Sequence, residues 1–150
     1  ASTLVFVSSD AQLLHYSASS VRPQGRPAGG VAGINLDEAA KVIFFTAVSS
    51  AENAVVVTAA NSSLSIPGTD AGSLKISDLS EFPGKGRATG GVRSQRFVRG
   101  EDQLYFAWVG TGDALAATSD GKPIELNLEL SKRDASGTKI DSAIGGLGSK

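Results

Sequence analysis

Along the chain, short blocks of apolar and β-branched residues alternate with polar positions and are cut off at close intervals by Gly, Pro, Asp and Ser. Runs of this length and composition predict β-strands rather than helices. The candidates are Leu4–Val7, Gln12–Tyr16, Val31–Asn35, Val42–Val48, Ala54–Thr58, Ser73–Ile76, Val92–Phe97, Leu104–Val109, Leu115–Thr118, Pro123–Asn127 and a weak Thr138–Ile140. Ser9-Asp10 and Ser119-Asp120-Gly121 follow strands directly and read as hairpin loops, because Asp and Gly accept turn geometry that branched residues resist. Asp78-Leu79-Ser80-Glu81 predicts a single helical turn, with Asp78 as cap and Glu81 answering it, stopped by Pro83. No long amphipathic helix is visible, and the tail after Ile140 carries no assignable pattern.

Internal repetition changes the picture most. Gly25-Arg26-Pro27-Ala28-Gly29-Gly30-Val31 recurs as Gly86-Arg87-Ala88-Thr89-Gly90-Gly91-Val92, and in degraded form as Lys132-Arg133-Asp134-Ala135-Ser136-Gly137-Thr138. Each copy follows a strand, a polar turn, a second strand and a short basic loop, over Leu4–Arg26, Ala54–Arg87 and Ala114–Arg133. A charged turn, Asp37-Glu38 and then Glu101-Asp102, precedes an apolar strand in the first two copies. The second copy is longer, and the excess falls at Pro67-Gly68 to Ala71-Gly72. Units of about 40–60 residues with four short strands have the size of a propeller blade, which stacks on its neighbours because it cannot bury both faces alone. The reading is one all-β domain over residues 1–150 with repeats at approximately 1–50, 51–110 and 111–150. Closed propellers have typically 4–8 blades, so three copies predict part of a longer array.

Composition narrows the chemistry. The 150 residues include 14 Lys+Arg against 15 Asp+Glu, one His, no Cys and no Met. Without Cys there is no thiolate nucleophile, no disulfide and no thiolate zinc site, and one His excludes multi-His clusters. Apolar runs are far shorter than the ~20 residues of a membrane helix. The N-terminal Ala1–Val7 segment lacks the basic flank of a secretory signal and reads as a strand, so an intracellular location is expected.

The Gly-Arg-x-x-Gly-Gly-Val copies carry a resemblance. Ser19-Ser20-Val21-Arg22-Pro23-Gln24-Gly25-Arg26 with Gly29-Gly30-Val31-Ala32-Gly33-Ile34, and Leu79-Ser80-Glu81-Phe82-Pro83 with Gly86–Val92, resemble the C-terminal repeats of bacterial type IIA topoisomerase A subunits, those of DNA gyrase and topoisomerase IV. The resemblance is strong over Leu4–Val109 and weaker over Ala114–Ile140. It implies a β-pinwheel, a propeller-like arrangement of four-stranded blades that exchange a strand with their neighbours, with about three blades here. It implies a non-catalytic module that binds and bends double-stranded DNA through basic rim loops. The implied partners are an upstream breakage-reunion domain of the same subunit and, through the holoenzyme, the ATPase B subunit of an ATP-dependent enzyme, in a cytoplasmic, nucleoid-associated setting without membrane or cofactor. The catalytic tyrosine of that family belongs to the upstream domain, so Tyr16 and Tyr105 are not read as nucleophiles. The Gln-Arg-Arg-Gly-Gly-Lys-Gly box of gyrase is absent, which tilts the likeness towards topoisomerase IV.

Charge placement points the same way. From Phe82 to Gly100 lie Lys85, Arg87, Arg93, Arg96 and Arg99 and no acidic residue, despite a net charge of −1. Arg22 with Arg26, and Lys132-Arg133 with Lys139, recur at the corresponding loops. A guanidinium offers a planar fork to phosphate oxygens, and NH groups of a Gly-Gly turn approach a phosphate closely. These ten side chains form the candidate DNA-binding set. A plainer reading stays open beside it: a basic run is usually a solvated face, the Gly-Gly pairs serve positive φ or close packing, and Arg26 and Arg87 brace loops by bonding carbonyls. His15 has no Ser or acidic partner at a motif spacing and reads as packing or surface. Asp37-Glu38 and Glu101-Asp102, at matching repeat positions, read as turn residues rather than metal ligands. Gly84–Gly90 fits neither nucleotide-loop pattern. Asn61-Ser62-Ser63 matches a glycosylation acceptor without use in the cytoplasm, and Tyr105, Phe106 and Trp108 read as core. A protein-docking propeller is the alternative function; a hydrolase lacks a nucleophile and base.

Overall fold

The computed structural model describes residues 2–49, 53–66, 69–126 and 129–149. The chain forms β1 (Thr3–Ser8), β2 (Gln12–Ser17), β3 (Val42–Val48), β4 (Ala54–Asn61), β5 (Ser73–Asp78), β6 (Val92–Arg93), β7 (Gln103–Thr111), β8 (Ala114–Ala117), β9 (Pro123–Ile124), β10 (Thr138–Lys139) and β11 (Gly146–Ser149). They make three antiparallel sheets, ordered β3-β1-β2-β6, β10-β5-β4-β7 and β11-β8-β9. The first sheet is completed by β6 from the second repeat, pairing Val92 with Leu13 and Arg93 with Gln12. The second is completed by β10 from the third repeat, pairing Thr138 with Leu74 and Lys139 with Ser73. Strand exchange between successive units is therefore built in twice.

Alternation along β4 explains the stacking. Successive strand side chains face opposite sides, and β4 is apolar at nearly every position because both of its faces are covered. Val56 and Ala60 join Val5, Val7, Leu13, Leu104, Ala107 and Val109 in a core between the first and second sheets. Val57 and Ala59 join Leu74, Ile76 and Ile144 between the second and third. The strands β3, β7 and β11 pack in succession against one another. They form one edge of the stack, and the donated strands β6 and β10 lie at the opposite edge.

The hairpin prediction holds at residue level. In the first repeat Ser8 Oγ bonds Asp10 and accepts from the Gln12 amide, and in the third Thr118 Oγ1 bonds Asp120 and accepts from the Lys122 amide. Ala11, at φ 64°, stands where Gly121 stands in the third repeat, at φ 88°. The Asp78 cap also holds, accepting from Ser80 N over a 3-10 turn at Leu79–Glu81. A corresponding turn at Ala18–Ser20, capped by Ser17, has too little sequence signal to be anticipated.

Several predicted strands are corrected. Val31–Asn35 is not a strand: it occupies the place of β6 and β10, each of which pairs with the sheet of the preceding repeat, and no described sheet precedes β1. Val92–Phe97 shrinks to Val92–Arg93, because its partner β2 begins at Gln12, which pairs with Arg93, and by Arg96 the backbone has turned to the third repeat, where Arg96 N bonds Ala135 O. Pro123–Asn127 is strand only at Pro123–Ile124, Asn127 lying outside the described residues, and Thr138–Ile140 only at Thr138–Lys139. Conversely, β4 and β7 outrun their predictions, and the unassigned tail contributes β11, which pairs with β8. The insertion between β4 and β5 is as expected in place; Pro67 and Gly68 of it lie outside the described residues.

Candidate nucleic-acid interface

The three basic loops are the same β-turn. Ala28 N donates to Gly25 O at 3.0 Å, Thr89 N to Gly86 O at 3.3 Å and Ala135 N to Lys132 O at 3.1 Å. The second and third turns are each followed by the strand that the preceding repeat's sheet receives, so basic side chains gather where repeats meet. Lys85 N bonds His15 O at 3.2 Å and Ser131 N bonds Ile76 O at 2.8 Å, fixing each turn to the second strand of the preceding repeat. Ser94 N to Ala11 O at 2.7 Å and Ile140 N to Gly72 O at 3.1 Å fix the other end.

Arg93 on β6 and Lys139 on β10 hold equivalent places on the donated strands, and both are exposed. Arg22, Arg26, Lys85, Arg87, Arg96, Arg99 and Lys132 are exposed as well, and Arg133 is half-buried. Arg96 and Arg99 leave the strand: Arg96 N bonds Ala135 O at 3.0 Å, and Arg99 sits in the turn closed by Glu101 N to Val98 O at 2.9 Å. Two arginines are held by carbonyls. Arg87 Nη1 donates to Ala32 O at 2.6 Å, and Arg133 Nη1 donates to Arg93 O at 2.9 Å.

Sequence reasoning missed Lys75. It lies inside β5 with 2% of its surface exposed, and its ammonium donates to the carbonyls of Lys132, at 2.8 Å, and Arg133. Burial pulls its pKa down to about 8. A lysine in a strand ordinarily signals a solvent face, so only the three-dimensional position of the third basic turn explains it. Near the first junction, burial raises the Tyr16 phenol above its ordinary value while the Arg87 cation opposes the shift, and its hydroxyl donates to Gly33 O at 2.9 Å.

The remaining candidates have structural partners. His15 Nε2 donates to Phe82 O at 2.7 Å. Tyr105 OH donates to Ala71 O at 2.8 Å and accepts from Ile144 N at 3.2 Å, and Trp108 and Phe106 pack beside the second core. Asp37-Glu38 and Glu101-Asp102 do not match in position: the turn closed by Ala40 N to Asp37 O corresponds to that of Val98 to Glu101, so the acidic pairs take opposite ends of it. Glu101 accepts from Ser73 Oγ and from Val98 N, and Asp102 from Ser63 N and Oγ. Asp70 accepts from Ser62 N, Ser65 Oγ and Gly72 N. These bonds hold the Asp70 and Asp102 carboxyls below the usual carboxylate range, the Ser62 amide leading for Asp70 and the Ser63 hydroxyl for Asp102. Among the described residues no group of three or more His, Cys, Asp or Glu side chains is placed to hold a metal ion, and no helix is long and apolar enough to cross a membrane.

Four-stranded sheets completed by exchanged strands, stacked face to face and joined by recurring basic turns, define a strand-exchanged β-propeller module. The family described as DNA gyrase C-terminal domain, beta-propeller, matches residues 2–49 and 68–104, more than half of the chain, and the chain belongs to that family. A topoisomerase subunit, TopoM, of Mycolicibacterium smegmatis is 32% identical over 105 residues, covering 69% of this chain and 13% of that protein. Among solved structures, the C-terminal domain of DNA topoisomerase IV superposes with a TM-score of 0.76 at 20% identity, over 97% of this chain and 46% of that one. The E. coli ParC C-terminal domain gives 0.72 at 19% identity, over 98% of this chain and 60% of that one. The DNA gyrase A C-terminal domain gives 0.71 at 16%, over 97% and 50%. The chain thus spans about half the length of these solved domains, and their likeness identifies the β-pinwheel fold.

Proposed function

We propose that this chain is a non-catalytic module that binds and bends duplex DNA within a cytoplasmic, nucleoid-associated type IIA topoisomerase, alongside a breakage-reunion domain and an ATPase subunit. The observation that carries the reading is positional. Exposed cations recur at the same structural place on successive donated strands, Arg93 and Lys139, each entered from a turn that carries an arginine at one fixed position, Arg87 and Arg133, as Arg26 does in the first repeat. A recurring row suits a phosphate backbone, which is itself a periodic line of charge. Arg22, Lys85, Arg96, Arg99 and Lys132, also exposed, join the proposed phosphate-contacting set. Such contacts carry no base code, so binding has little sequence preference.

The test is fluorescence anisotropy of a ~40 bp duplex, a length ample for a 20–30 bp bent site, titrated at several salt concentrations. The wild type is compared with a Lys85→Glu/Arg93→Glu/Arg96→Glu/Arg99→Glu variant whose circular dichroism matches it. Support is a log–log salt slope of about −0.9 per phosphate neutralised in the wild type and loss of binding in the variant. Binding indifferent to the four charges, or none at low salt, refutes the reading and favours a protein-docking role.

A further inference from the structure

The Gly-Arg arginines differ from their basic neighbours in what they already hold. Arg87 Nη1 to Ala32 O at 2.6 Å and Arg133 Nη1 to Arg93 O at 2.9 Å are the same bond one repeat apart, since Ala32 and Arg93 occupy equivalent places after their Gly-Gly pairs. Each bond runs from the turn of one repeat to the donated segment of the repeat before it. Backbone bonds accompany it in both places. Asn35 N reaches Thr89 O and Ala88 N reaches Gly33 O, each at 3.0 Å, at the first junction; Arg96 N reaches Ala135 O at 3.0 Å at the second. The first junction adds Tyr16 OH on Gly33 O. At the second, Lys75 grips the Lys132 and Arg133 carbonyls from below, so that turn is held from two sides.

A charge-assisted bond to a carbonyl is among the stronger neutral-acceptor contacts a side chain makes. Placed where one repeat meets the next, it fixes the rotation between consecutive sheets. We infer that Arg87 and Arg133 are junction braces that set the angle between successive sheets, and hence the curvature of the basic edge, rather than phosphate ligands. Arg133 does so by holding the backbone of Arg93, whose own side chain stays exposed and free of that task. Arg26 is the same residue of the first repeat, where no described sheet precedes it. The consequence for DNA rests on the binding proposed above; the brace itself does not.

The experiment therefore has a free-protein arm and a DNA arm. In the free protein, amide exchange is compared for wild type, Arg87→Met/Arg133→Met and Arg87→Lys/Arg133→Lys. Bracing predicts at least tenfold faster exchange at Asn35, Ala88 and Arg96 in the Met variant and recovery in the Lys variant, which retains a donor. Unchanged exchange at these amides in the Met variant overturns the inference, whether or not DNA binds. In the DNA arm, the end-to-end distance of a doubly labelled bound duplex is read by energy transfer beside the salt slope. The Met variant is expected to straighten the duplex while keeping the wild-type slope, with the bend restored by Lys. A slope reduced by about 2, the loss of two neutralised phosphates at roughly 0.9 each, overturns the inference even if the bend also changes. Failure of the wild type to bind DNA sinks the binding proposal alone, and the exchange arm still decides the brace.

Discussion

Lys75 shows how much one buried group couples the basic turns to the core. Its folded pKa, about 8, lies below its ordinary 10.5, so the unfolded chain binds the proton more tightly. Below pH 8 the folded chain carries a buried cation and bears the whole penalty; as pH rises from 8 to 10.5 the penalty is lifted and stability increases. The swing is on the order of 3 kcal/mol. Urea unfolding of wild type and Lys75→Leu, the residue at the equivalent Leu14, should show the wild type gaining stability relative to the variant as pH rises from 8 to 10.5. Parallel pH profiles would refute this. The sequence showed Lys75 inside a predicted strand and nothing of its burial, because its acceptors are backbone carbonyls of residues far along the chain. Backbone acceptors leave no trace in residue identity. The same is true of Arg87 and Arg133, whose basic character is legible and whose carbonyl partners are not.

At the scale of elements, the long strands were legible, the exchanged ones were legible in their starts but not their ends, and β11 was not legible at all. The run Val42–Val48 matches β3 end to end, since seven consecutive strand residues follow one local pattern. Strands β6 and β10 have two residues each and exist because a neighbouring repeat offers an edge. Their seating depends on glycine. Gly91 has φ 78°, and a Cβ there would lie 2.3 Å from Leu13 O on the receiving strand. Gly30, the same motif position in the first repeat, has φ 88° with nothing within 4 Å of such a Cβ. Gly30→Ala should cost only the strain of a left-handed residue, about 1–2 kcal/mol, whereas Gly91→Ala adds a backbone clash and should unseat β6. Equal losses in unfolding free energy for the two variants would show that β6 does not depend on this close approach. The insertion between β4 and β5 carries a prediction of its own. Asp70 and Asp102 bind its amides and hydroxyls as carboxylates, so both should titrate below the ordinary value of 3.8. Protonation removes the charge that makes these bonds strong, so the loop is anchored above that range and loosened as pH falls through the lowered values. Carboxyl carbon NMR shifts followed from pH 6 to 2 check this; midpoints at or above 3.8 count against it.

For the whole molecule, strand exchange separates repeats in sequence from units in stability. The second sheet is covered on both faces, while the third pairs β8 with β9 over just two residue pairs, Ala116 with Ile124 and Ala117 with Pro123. Local opening follows contact density, so the third sheet should open first. Its basic turn should not open with it. Ser131 N is bonded to Ile76 O, Ile140 N to Gly72 O and Arg96 N to Ala135 O, and Lys75 holds the Lys132 and Arg133 carbonyls, so residues 131–140 belong mechanically to the second sheet. Native-state hydrogen exchange with increasing urea should then place the Ser131 and Ile140 amides with those of β4 and β5. The Thr118 and Gly145 amides, bonded to Lys122 O and Ala117 O, should exchange earlier through a smaller opening. If Ser131 and Ile140 instead exchange together with Thr118, the turn belongs to the third sheet and exchange confers no such protection. The expected order has a functional meaning under the proposed role. A module whose cations sit on strands owned by the neighbouring sheet keeps its charged edge continuous while the third sheet opens, and a duplex bent along that edge need not be released.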